Sequence, residues 1–278
     1  MMVKSAEVGF SLEFEEAKRT LEELRRKYAS LLTEYDELTG TIRSNLETEY
    51  MMQIGRKEHH LFTLQIRIRQ LRREIALYQA ALNQGEQLSG EKVRIIIAEE
   101  FAEFLAAIRE QQEKLKQAEE QYLSPKLSPE DSKALKNLYH DLVHKLHPDL
   151  NPDLPPKARI LWFKIEDAYK NWDWKELNIL ADMAYALLDH HKDVDIESMN
   201  SFGYILEQQK KLKEKIAALE KQIETEMSKP PYIYREFLSD PKAVNAKRKE
   251  LDELRQLFEK QTAELTEIRD GLRGGKND

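Results

Sequence analysis

Three histidines and two aspartates fall within ten residues, as His140-Asp141-Leu142-Val143-His144 and then His147-Pro148-Asp149. Two histidines four apart share one helix face and can hold zinc with a further ligand, and a general base beside them would make such a site hydrolytic. The base position here is Asp141, one methylene shorter than Glu. His147 is committed to the loop, and no third ligand is evident, so the expected placement is histidines on a solvent face and no metal site. Arg67, Arg69, Arg72 and Arg73 could touch phosphate. A net charge of −7 and the lack of an aromatic stacking pattern make charge flanking a helix seam the better account. Trp162, Trp172 and Trp174 are spaced to seal a small core rather than to line a ligand pocket. His59-His60 and His190-His191 have no matching carboxylates and are read as surface. The chain has no cysteine, no phosphate-cradling glycine loop, and no nucleophile beside a base at motif spacing. An enzyme is not expected, and no cofactor is called for.

The elements that must carry His147-Pro148-Asp149 are legible on either side of it. From Lys133 to Leu146, Leu135, Leu138, Tyr139, Leu142, Val143 and Leu146 share one helix face, while Lys133, Lys136, His140 and His144 share the other. Ser128, Pro129 and Asp131 read as an N-cap, a first-turn proline and an acid matched to the helix dipole. Pro148 lacks a backbone donor and pushes His147 out of the helical region, so this helix should end at about Leu146. Pro152, Pro155 and Pro156 stiffen the next stretch, and a second helix should start at Pro155 or Pro156. Its stripe is Leu161, Ile165, Ala168 and Trp172, beside Trp162 and Tyr169. The two stripes predict an antiparallel hairpin with His147-Pro148-Asp149 at its exposed tip. On such a tip, replacing Asp149 should cost within ~0.5 kcal/mol.

Helix, HPD loop, helix resembles the signature hairpin of a J-domain, over roughly residues 128–180. The resemblance implies that the tip and the outer face of the first helix contact a DnaK-type chaperone ATPase and stimulate its turnover. Carried over by position, the chaperone-binding residues are His147, Pro148 and Asp149, with Lys133, Lys136, His140, His144 and Lys145 as the basic face. Asp167-Ala168-Tyr169 stands for the family's second-helix element. The family's usual first helix is absent: Glu119-Glu-Gln-Tyr-Leu-Ser-Pro-Lys126 precedes the hairpin instead. His140 and Asp141 stand where Arg and Lys are usual, and Leu150 where a lysine often follows the motif. At neutral pH the basic face reduces to Lys133, Lys136 and Lys145. The chain also resembles bacterial J-domain-like proteins with long helical arms.

Length, composition and periodicity set the frame. The 278 residues are 34% charged and 41% hydrophobic, with only 9 Gly and 9 Pro, a balance that suits helices with narrow apolar seams. No signal peptide and no apolar run near the ~20 residues of a membrane helix is visible, so a soluble cytoplasmic protein is expected. The expected class is all-α: elongated antiparallel helical or coiled-coil arms flanking a J-domain-like hairpin. The expected segments are an N-terminal arm over 1–123, the hairpin with its following helix over 124–190, and a C-terminal arm over 191–278.

The N-terminal seam runs through Phe14, Ala17, Leu21, Leu24, Tyr28, Leu31, Tyr35, Leu38 and Ile42, and resumes as Leu61, Leu64, Ile68, Leu71, Ile75, Tyr78 and Leu82. At Thr39-Gly40-Thr41 either one helix stutters or the chain turns back. Opposed windows, Glu13 to Glu23 and Arg67 to Arg73, favour the turn. A helix is expected over about 91–122, then one over 174–188 packed on the hairpin, a bend at 190–195, helices over 198–227 and 241–272 forming a second antiparallel arm, and a frayed tail from Gly274.

The functional expectation is a co-chaperone or adaptor that docks on a DnaK-type chaperone and holds an unidentified client. The rival is a structural coiled-coil scaffold with an inactive hairpin. Neither a membrane nor nucleic acid is an expected partner, and the apolar seams offer a route to homo-oligomers.

Overall fold

A computed structural model describes residues 2–152, 154–189 and 202–274. Among them every regular element is helical and no strand occurs, so the protein is all-α. In chain order the helices are α1 (Met2–Glu37), α2 (Arg43–Tyr50), α3 (Arg56–Asn83), α4 (Gly90–Glu100), α5 (Ala102–Leu123), α6 (Pro129–Leu146), α7 (Pro156–Lys170), α8 (Trp174–Asp189), α9 (Phe202–Met227), α10 (Arg235–Ser239) and α11 (Pro241–Gly274). Two π-helical segments, Leu38–Ile42 and Met51–Gly55, join α1 to α2 and α2 to α3. None of the described helices is long and apolar enough to cross a membrane. The bend expected at 190–195, the pair His190-His191 and the tail 275–278 lie outside the described residues.

Two compact units divide the chain, each built from two separated stretches: Met1–Asn45 with Pro125–Ile233, and Leu46–Ser124 with Tyr234–Asp278. The consecutive segments 1–123, 124–190 and 191–278 therefore do not correspond to these units.

In the first unit α1 packs on α9 along one face and on α6 along another. The α1–α9 pair runs parallel. Phe14 meets Phe202, the Gln209 side chain donates to the Ala17 carbonyl at 2.7 Å, and Lys27 pairs with Glu220 at 2.8 Å. Ala17, Leu21 and Tyr28 are buried on α1, and Ile205, Leu212, Ile216 and Leu219 on α9. In the second unit α3 packs chiefly on α11, also in parallel. Lys57 pairs with Asp252 at 2.5 Å, His60 lies 3.5 Å from Glu259, and Arg269 is 3.3 Å from Glu74. Ile54, Leu61, Val244 and Leu251 form one apolar cluster there, and Tyr78, Val93 and Ile97 another, with Leu272 packed against it.

These pairings overturn both expected antiparallel arms. No turn occurs near Gly40, because helical hydrogen bonding continues through Leu38–Ile42 as a π segment. The faltering repeat is a stutter: each π segment accommodates extra residues and re-phases the apolar stripe. Residues of the glutamate and arginine windows have other partners within their own units. Arg67 pairs with Glu74 at 2.9 Å, Arg73 with Glu100 at 2.7 Å, and Glu22 with His144 at 3.2 Å. The helix expected over 91–122 is also broken, at Phe101, between α4 and α5.

The hairpin is antiparallel. Tyr139 stacks on Tyr169 with centroids 3.6 Å apart, and His147 meets Trp162 edge-on at 5.0 Å. Positions rising along α6 thus meet positions falling along α7. α8 packs on both helices through Leu177, Leu180, Ala181 and Ala184. Of the three tryptophans expected to seal this core, Trp162 is buried, while Trp172 lies past the end of α7 and both it and Trp174 are half-buried.

Candidate functional site

The loop after α6 is fixed from both ends. At the start of α6, the Ser128 hydroxyl accepts from the Asp131 amide at 3.0 Å. At its end, His147 leaves the helix with φ −62° and ψ 126°, the extended conformation that the following proline favours. The His147 amide still donates to the Val143 carbonyl. Its Nδ1 accepts from the Asp149 amide at 3.1 Å, which leaves the ring proton on Nε2 when the imidazole is neutral. Asn151 closes the helix end: its side-chain amide donates to the His144 carbonyl at 2.9 Å. Arg159 on α7 donates to the Pro152 carbonyl at 2.6 Å. α7 then begins at Pro156.

The Asp149 carboxylate has both oxygens engaged. Oδ2 accepts from the Tyr28 hydroxyl at 2.8 Å, and Oδ1 lies 2.9 Å from the Lys215 ammonium. Tyr28 belongs to α1 and Lys215 to α9, so the parallel pair reaches the tip of the hairpin. Tyr28 also turns its ring edge toward His147, at 6.3 Å between centroids. Asp149 is therefore held by neighbours at a tip that was expected to be exposed. About 42% of its side chain still meets solvent.

The expected basic face divides. Lys136, His140 and His144 form an i, i+4, i+8 stripe that meets α1. Lys136 pairs with Glu37 at 2.8 Å, His140 Nε2 is 3.2 Å from the Ser30 hydroxyl, and His144 Nε2 is 3.2 Å from Glu22. The last contact has ion-pair distance without hydrogen-bond alignment. The histidines thus face a neighbouring helix rather than open solvent. Lys145 pairs with Asp141 on its own helix at 2.8 Å and lies over the Tyr185 ring, while Lys133 is exposed. No cluster of three or more ligating side chains that could hold a metal occurs among the described residues.

Beneath this stripe lies a partly buried polar group. Tyr139 donates to Asp36 at 2.6 Å and Tyr169 to Glu37 at 3.0 Å. Burial pushes the Asp36 carboxyl up to about 6; the Tyr139 hydroxyl opposes this, Glu166 adds to it and Lys170 opposes it. Burial likewise raises Tyr139, Tyr169 and Tyr28 well above the usual phenol range. His147 is lowered, first by burial, against the pull of Asp149 and Glu166. At Asp149 burial acts upward, but Lys215 and Tyr28 outweigh it and hold the carboxyl below its ordinary value.

Sequence reasoning found the motif and missed its neighbours. Tyr28 was legible only as a seam residue, and Lys215 only as one of many surface lysines on its helix. No local signal links them to a position 121 or 66 residues away. Asn151 could have been found, since a side-chain donor just past a helix end can satisfy the last carbonyls. No family model matches the chain, and no curated protein or solved structure matches it.

Proposed function

We propose that the α6–α7 hairpin is a J-like docking element for a DnaK-type chaperone ATPase, and that the protein is a co-chaperone or adaptor whose helical pairs hold a client. The observation that carries this reading is His147-Pro148-Asp149 at the tip of an antiparallel hairpin, with a partly exposed carboxylate. A chaperone state that binds this tip better than its alternative would be favoured by it, and turnover would rise. Lys133 and Lys145 on the outer surface of α6 supply the remaining positive charge. The test is ATPase turnover of the host's DnaK-type chaperone with and without the full chain. Wild-type protein is expected to raise turnover above the chaperone alone, and Asp149→Asn is expected to return it to the chaperone's own rate. Equal rates with wild type, with the variant and with no addition would reject the reading.

A second reading has its own support. Tyr28 and Lys215 already engage the Asp149 oxygens, and the Lys136–His140–His144 stripe is spent on α1. These contacts suit a structural scaffold in which the hairpin serves only to brace the helix pair. The same assay separates the two.

A further inference from the structure

We infer that the parallel α1–α9 pair is a latch: it occupies the HPD carboxylate and one stripe of α6, and must swing off before a cationic partner surface can engage them. This rests on the chaperone contact proposed above and concerns how that contact is regulated.

Three observations converge. Lys215 offers Asp149 a cation at 2.9 Å and Tyr28 offers it a hydroxyl at 2.8 Å. A carboxylate with a partner on each oxygen has fewer acceptor sites and less unbalanced charge for an incoming cation, so partner and latch compete for the same atoms. Second, α1 also takes Lys136, His140 and His144 through Glu37, Ser30 and Glu22. Tip and stripe are thus covered together by one body and are released together. Third, the two kinds of contact differ in character. The α1–α9 pair is joined through a buried apolar seam, whereas its hold on the hairpin is polar: the Tyr139–Asp36 and Tyr169–Glu37 hydrogen bonds beneath, and at the tip and stripe ion pairs whose members remain part-exposed. Such pairs are individually weak and reversible. Release of the tip and stripe must therefore also break the two tyrosine bonds, while the apolar seam keeps α1 joined to α9.

Only the open fraction of the protein can bind, so the apparent affinity for a partner is reduced by that fraction. Weakening the latch should raise affinity without adding any contact to the partner. Neither Tyr28 nor Lys215 belongs to the motif or to the basic face, so changing them leaves the docking residues intact.

The experiment uses the full chain and follows chaperone ATPase turnover against protein concentration. Lys215→Arg should behave as wild type. Lys215→Ala, Lys215→Ala with Tyr28→Phe, and Lys215→Glu should require progressively less protein for half-maximal stimulation, with a total change of roughly five- to thirtyfold. Lys215 is a part-exposed helix position and Tyr28→Phe keeps the ring, so circular dichroism should report unchanged helicity in each variant. If wild type stimulates and the release variants match it within twofold, the latch is overturned and the chaperone reading stands. If neither wild type nor any release variant raises turnover, the chaperone reading fails and the latch, which regulates it, falls with it. Stimulation by wild type that strengthens in the release variants and that Asp149→Asn cancels in the same background supports both.

Discussion

Asp149 shows how a residue at a loop tip acquires a stability role. Its carboxylate ties three elements, and Asp149→Asn removes the charge that Lys215 faces. The pair is half-exposed, so the expected cost is about 1 kcal/mol, above the ~0.5 kcal/mol of a free surface site. Two groups here respond to acid in the same direction. The folded value of Asp149 is depressed, so its contribution is present above the ordinary carboxylate range and is lost as pH falls through the folded value. The folded value of His147 is also depressed, so its contribution is complete above an imidazole's ordinary value and declines as pH falls below it. Asp36 runs the other way. Its value is raised to about 6, so its contribution is present at low pH and is lost as pH rises through about 6. Asp36→Asn keeps an oxygen to accept from Tyr139 and removes the ionisation. Relative to wild type, this variant should gain about 1 to 2 kcal/mol between pH 4 and pH 7. Urea melts at the two pH values measure it, and an equal stability difference at both would show that Asp36 does not titrate in the fold.

Helix limits follow from local chemistry, while helix partners do not. Ser128 caps α6, Pro148 ends it, Pro156 opens α7, and Pro230-Pro231 follows the end of α9. Each signal acts through a hydrogen bond or a φ restriction within a few residues, so each was legible. The partner of α1 was not. Its seam is matched equally well by any helix with an apolar repeat, and glutamates and arginines flank nearly every helix in this chain. The opposed windows were therefore a degenerate signal, and α9, whose Gln209 lies 192 residues from its partner Ala17, left no mark in the order of charges. Gly40 misled for a related reason. A glycine at a faltering repeat fits a turn, yet here it lies inside a helical segment, and a Cβ on it would meet Lys170 at an ordinary 3.8 Å. Gly40→Ala should therefore stabilise the protein by about 0.5 to 1 kcal/mol, the usual gain for alanine over glycine within a helix. A fall in the urea midpoint would mean that the backbone at this position needs the freedom of glycine.

At the scale of the whole molecule, each compact unit closes only when distant stretches of chain meet. In one, α1 from the N-terminal region needs α9; in the other, α3 needs α11. The consequence is that the stretch 1–123, which reads as a self-sufficient arm, holds one helix from each pair and neither partner. On its own it would expose Ala17, Leu21 and Tyr28 on α1, and Leu61 and other seam residues of α3 that are buried in the full chain. Apolar surface of that kind costs about 25 cal/mol for every Å² left in water. An isolated helix also gains little from propensity without a packed face. Fragment 1–123 should therefore lose helix relative to its share of the intact protein or self-associate through the seams. Mixing it with fragment 124–278 should restore monomeric helicity, because the second fragment carries α9 and α11. Circular dichroism with sedimentation on each fragment and on the mixture is the check. A monomeric, fully helical 1–123 that melts as the intact chain does would show that α1 and α3 satisfy each other, and the parallel pairing would be wrong.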